Sequence, residues 1–154
     1  MAFVIDASIV AAFAFGEPDD ARVLTAIEEL KMTEALAPCL FFFQVRNALI
    51  VGERRGRSTA EKSPDFLRDL ERLPMRIVPL PGDGALMSLA RQRNLTVYDA
   101  AYLELAMRER LPLATLDRAL EKAAAGRGRR ALRRLIPRRS GALEPEGPRD
   151  SKIG

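Results

Sequence analysis

The feature that most constrains this chain is its alternation of short apolar runs with longer segments of helical spacing. Phe3-Val4-Ile5 has strand character and stops at Asp6. Ser8 precedes a helical stretch, Ile9 to Phe15, closed by Gly16 and Pro18. Asp19 or Asp20 stands where a cap belongs for the next helix, in which Val23, Leu24, Ile27 and Leu30 share a face. Leu36-Ala37-Pro38 reads as a brief strand, and Leu40 to Arg55 as a largely buried helix stopped by Arg54, Arg55 and Gly56. Ser58 with Glu61 forms a capping-box pattern for a helix toward Leu73, ended by Pro74.

The same alternation continues to residue 125. Arg76 to Leu80 is predicted as a strand, β-branched at Ile77-Val78, and Asp83 opens a helix that ends at Asn94. Tyr98 to Arg110 is a further helix. Leu113-Ala114-Thr115-Leu116 is a strand ending at Asp117, and Arg118 to Ala125 a last helix. Strands that alternate with helices predict an α/β domain around a central, mostly parallel sheet. At 154 residues the chain has one-domain length.

Charge divides the chain in two. Residues 1–125 carry sixteen Lys/Arg against eighteen Asp/Glu, whereas residues 126–154 carry nine against three. The basic balance therefore belongs to the tail, whose Pro, Gly and Arg content predicts disorder. The apolar start lacks a basic leader and holds Asp6 in its midst, which argues against a signal peptide. A single cysteine, Cys39, allows no internal disulfide and agrees with a cytoplasmic location.

The absence of histidine excludes Ser-His-Asp and Cys-His nucleophiles and His-ligated zinc. Carboxylates remain. Asp6 and Asp117 directly follow predicted strands, and Asp99 lies in the first turn of a predicted helix. In an open parallel sheet those positions share the ligand-binding edge. Each has a plainer reading: Asp6 as a turn residue, Asp99 as a partner of the helix dipole, Asp117 as an N-cap. Three carboxylates in one cleft repel one another unless a cation lies among them, and oxygen ligands alone favour Mg²⁺ or Mn²⁺.

Four segments carry a resemblance. Val4-Ile5-Asp6-Ala7-Ser8, Ala37-Pro38 to Asn47-Ala48-Leu49, Leu95 to Tyr102 with its Tyr98-Asp99-Ala100-Ala101-Tyr102 block, and Leu113 to Asp117 are similar in order and spacing to the signatures of PIN-domain nucleases of the VapC toxin type. The resemblance implies a three-layer α/β/α domain over residues 1–125. It implies a toxin of a toxin–antitoxin pair that hydrolyses RNA phosphodiesters with Mg²⁺ or Mn²⁺ held by Asp6, Asp99 and Asp117. It further implies a homodimer and a cognate antitoxin protein that blocks the cleft. Ser8 and Thr115 become supporting hydroxyls and Asn47 a supporting amide, with an N-cap role as the alternative for Ser8.

One position departs from the pattern. Gln44 stands where such proteins usually carry a glutamate, three residues before Asn47. It keeps the shape but loses the charge. Glu53, nine residues on, lies on the opposite helical face and cannot replace it. The departure leaves two readings, a natural, weakened nuclease or a glutamate deliberately replaced to silence one. The competing functions are a DNA-directed nuclease of the same fold and a PIN-like domain that binds RNA or a partner protein without cutting. Phe41-Phe42-Phe43 is read as core or dimer contact rather than a base-stacking platform. The arginine-rich tail is read either as a nucleic-acid contact or as a solvated extension.

Overall fold

The computed structural model describes residues 1–17 and 20–125. The expectations for Pro18, Asp19 and the segment 126–154 lie outside the described residues. Four short strands, β1 (Phe3–Ile5), β2 (Ala35–Pro38), β3 (Met75–Val78) and β4 (Leu113–Ala114), form one sheet in the order β3-β2-β1-β4. Every pairing is parallel, with Val4 opposite both Leu36 and Leu113. β1, β2 and β4 are buried throughout, as expected for strands covered on both faces.

The helices are α1 (Ala7–Ala14), α2 (Ala21–Met32), α3 (Phe41–Arg54), α4 (Lys62–Leu70), α5 (Asp83–Arg93), α6 (Val97–Glu109) and α7 (Arg118–Ala125). Helix α6 lies against β1, β2 and β4, with α5 and α7 beside it, while α1 packs with α2 and α3. The result is the three-layer α/β/α arrangement. The core joins strand residues Phe3, Ile5 and Leu36 to helix residues Ile9, Leu30, Phe41, Tyr102, Leu105 and Leu120. Burial of each such aliphatic or aromatic side chain is worth about 1.5–3 kcal/mol against exposure.

Local chemistry explains most boundaries. The Asp20 carboxylate accepts from the Arg22 backbone N–H and caps α2. Gly56, just beyond α3, has a φ of 71°, which glycine adopts without steric cost. Asn94 ends α5 in the left-handed region, as a C-terminal asparagine commonly does. At Gly52 an added Cβ would collide with the Phe15 ring, so the missing side chain lets α3 approach the end of α1.

Several boundaries differ from the expectation. The capping box expected at Ser58 is not formed: α4 begins at Lys62, after a turn in which the Lys62 N–H donates to the Thr59 carbonyl. Thr59 rather than Ser58 engages the Glu61 carboxylate, which is held below its ordinary pKa by its own backbone N–H first and Thr59 second. Ser8 is not the N-cap of α1, because the helix begins at Ala7 with Asp6 at the cap position. β4 ends at Ala114, two residues early, and Thr115 turns inward instead.

Candidate active site at the reversal of the sheet

From β1 the chain steps outward to β2 and β3, then crosses back to lay β4 on the other side of β1. The carboxyl ends of β1 and β4 therefore flank the point where strand order reverses, where open α/β sheets bind ligands. Asp6 is the residue after β1, and Thr115 the residue after β4.

Asp6 is buried, and its backbone N–H donates to the Ala114 carbonyl at 3.0 Å, which extends the β1–β4 pairing past the strand. Two hydroxyls donate to the same carboxylate oxygen, Oδ2: Ser8 Oγ at 2.5 Å and Thr115 Oγ1 at 2.7 Å. Each hydroxyl also accepts a backbone N–H, Ser8 from Leu116 and Thr115 from Asp117, both at 3.0 Å. The segment after β4 is thereby stitched to the segment after β1. Burial raises the Asp6 pKa above its ordinary value, the hydroxyl contacts oppose the rise, and the charge of Asp99 adds to it.

Asp99 reaches the same region from the first turn of α6. Thr96, at the N-cap, accepts from the Asp99 N–H at 3.1 Å and donates to its Oδ2 at 2.7 Å. One turn later, fully buried Tyr102 donates its hydroxyl to Gln44 Oε1 on α3 at 2.5 Å. The Tyr102 phenol is pushed far above its ordinary pKa by burial first, and by the charges of Asp6 and Asp99 as well. Gln44 is thus joined through Tyr102 to the region of both aspartates.

Asp117 and Asn47 stand apart from this cluster. Asp117 is exposed, and its Oδ1 accepts from the Leu120 N–H at 2.7 Å, so it caps α7. Asn47 is exposed on α3 and makes no side-chain hydrogen bond among the described residues. Phe41 is buried, half-buried Phe42 meets it edge-on at 5.3 Å, and Phe43 is 77% exposed. Glu53 is bound by Ser63 of α4, at the other side of the helix from Gln44.

Sequence reasoning missed three residues. Thr96 was legible, since Thr-x-x-Asp before a helix is a capping pattern. Tyr102 could have been placed by its spacing of three from Asp99, which puts both on one helical face. Arg22 had no sequence signal. Its guanidinium holds both Asp20 oxygens, reaches Glu121 of α7 at 3.3 Å, and lies 3.5 Å from the Thr115 carbonyl, across 93 residues of chain.

Among the described residues no three carboxylates, cysteines or histidines are grouped closely enough to form a ready-made metal cage. The donor set still suits a hard cation. A buried carboxylate influenced by a second one is an arrangement that a divalent ion relieves, and Mg²⁺ commonly uses one or two carboxylates, with water and substrate phosphate completing its shell. Asp6 and Asp99 are the residues that would hold it.

The fold and this edge define the class: an open-sheet α/β domain with an acidic site at the strand-order reversal. The chain belongs to the PIN domain family, whose signature matches residues 3–126 and whose members are generally metal-dependent nucleases. It is similar in structure to PAE2754 from Pyrobaculum aerophilum, with a TM-score of 0.65 and 25% sequence identity, over 83% of this chain and 81% of that one. No curated protein matches the sequence significantly.

Proposed function

We propose that this chain is the toxin of a toxin–antitoxin pair, an endoribonuclease that hydrolyses RNA phosphodiesters with Mg²⁺ or Mn²⁺ in the cytoplasm. The observation that carries the nuclease reading is the buried Asp6 carboxylate at the end of β1, oriented by Ser8 and Thr115 and influenced by Asp99. The toxin assignment rests on the VapC-like blocks around Asp6, Asp99 and Asp117, and it brings with it a homodimer and a protein antitoxin. An acidic cleft is a natural receptor for an antitoxin arginine.

When bound, the cation would activate water and neutralise charge on the phosphate under attack. The chain's own contribution is orientation. Ser8 and Thr115 both donate to Oδ2 of Asp6, which fixes the plane of the carboxylate. Thr96 does the same for Asp99. Asp117, three residues beyond β4, would add an exposed carboxylate to this set.

The test is digestion of total cellular RNA with Mg²⁺, with Mn²⁺ and with EDTA, beside the Asp6→Asn variant. Metal-dependent cleavage of RNA, absent with EDTA and in the variant, is the expected result. Cleavage that survives EDTA overturns the mechanism. Gln44 favours a second reading, an RNA- or protein-binding PIN domain without activity, since it is neutral and its one carbonyl oxygen already accepts from Tyr102. RNA binding without any cleavage would select it.

A further inference from the structure

We propose that Tyr102 is a positioning residue that makes Gln44 a hydrogen-bond donor to the RNA backbone rather than a cation ligand. The inference rests on the endoribonuclease reading above and assigns a substrate contact within that site. A glutamine side chain offers one carbonyl oxygen and one NH₂ group. In this chain the oxygen already receives the Tyr102 hydroxyl at 2.5 Å. Tyr102 is fully buried, and a phenol oxygen lies on the ring axis, so ring rotation does not carry it away. The hydroxyl therefore acts as a fixed peg on one end of the amide.

Gln44 is half-buried, and its Nε2 donates to no acceptor among the described residues. An NH₂ group has no lone pair to offer a cation, but it suits an anionic oxygen. Because the Tyr102 hydroxyl that pins it lies within the electrostatic reach of Asp6 and Asp99, the anion this group would serve is a non-bridging oxygen of the scissile phosphodiester. The charge missing at position 44 is then not only a lost ligand. It removes a repulsion from the phosphate and supplies a donor in its place.

The test uses the full chain and two titrations. Mn²⁺ is titrated by calorimetry without RNA. A fluorescein-labelled single-stranded oligoribonucleotide is titrated by anisotropy in Ca²⁺, with its integrity checked on a gel. Gln44→Ala is expected to leave Mn²⁺ affinity within about twofold while weakening the oligoribonucleotide about tenfold, as loss of a bond to a charged group does. Tyr102→Phe keeps the ring that fills the core and is expected to weaken the oligoribonucleotide about threefold. In the double variant the tyrosine change should add nothing, because it acts only through Gln44.

A large loss of Mn²⁺ affinity in Gln44→Ala would make the amide oxygen a ligand and overturn the inference. Additive losses in the double variant would reduce Tyr102 to a packing residue and overturn its positioning role. Equal oligoribonucleotide binding by the parent chain and Gln44→Ala sinks the inference alone. A parent chain that neither binds nor cuts RNA takes the nuclease reading down with it.

Discussion

Asp6 and Asp117 come after neighbouring strands on one edge of one sheet, yet the fold treats them oppositely. Asp6 is buried, fixed by two hydroxyls and raised in pKa. Asp117 is exposed and gives an oxygen to the first turn of α7. The difference lies in the exit from each strand. After β1 the chain enters α1 at once while the Asp6 N–H still pairs with Ala114, and the Asp6 side chain is buried. After β4, Thr115 takes the inward position and Asp117 lands at the rim. A buried carboxylate is preorganised at an energetic cost, whereas a rim carboxylate that also caps a helix stays accessible to a ligand from solvent.

That contrast predicts unequal consequences. Asp6→Asn should abolish detectable cleavage, beyond the roughly 10–100-fold that loss of a supporting residue costs. Asp117→Asn should cost about tenfold less than Asp6→Asn in the same RNA-cleavage assay, since asparagine caps a helix as well as aspartate does. Equal losses would show that the rim carboxylate is as essential as the buried one. Thr115→Val tests the seam itself. It leaves the Asp117 N–H without its acceptor and Asp6 with one hydroxyl, and should cost about 1–3 kcal/mol in a denaturant melt. Activity should fall about 10–100-fold alongside.

Gln44→Glu sharpens the comparison from α3. A carboxylate there, still receiving the Tyr102 hydroxyl, should bind Mn²⁺ about tenfold tighter, or about 1.4 kcal/mol, by calorimetry. No change would place position 44 outside the cation's reach. The smallest effect belongs to the support behind the seam. Asp20→Ala removes the α2 cap and the Arg22 pairing and should lower stability by about 1 kcal/mol. Arg22 depresses the Asp20 pKa below its ordinary value near 3.8, so this stabilisation is present above that pH and is lost as pH falls through the folded-state value. The melting-temperature gap between the two proteins should therefore close in acid.

Much of the fold was legible because burial writes itself into short patterns. Phe3-Val4-Ile5 and the helix from Asp83 to Asn94 needed only apolar runs and an end signal. The boundaries that failed were those decided at a distance. Ser58 matches a capping box, but the helix starts at Lys62. Leu113 to Leu116 reads as a full strand, but Thr115 leaves it to reach Asp6 across 109 residues. In the site, the motif blocks pointed to Asp6, Ser8 and Thr115, which share one hydrogen-bonded group, to Asp99 and Gln44, held by Thr96 and Tyr102, and to Asp117 and Asn47, which lie exposed. Nothing local could reveal Arg22, because its partners Thr115 and Glu121 lie nearly a hundred residues away.

The seam between Asp6 and Thr115 also sets a timetable. Asp6 leaves the ribosome 109 residues ahead of Thr115, and Leu116 and Asp117 follow Thr115 directly. Until then Ser8 has no Leu116 N–H to accept, and the Asp6 carboxylate lacks one of the two hydroxyls that fix it. Such long-range closures form late, after their loop entropy has been overcome. A partly made chain therefore carries the acid but not its frame, and the acidic edge is assembled only as synthesis of the domain ends.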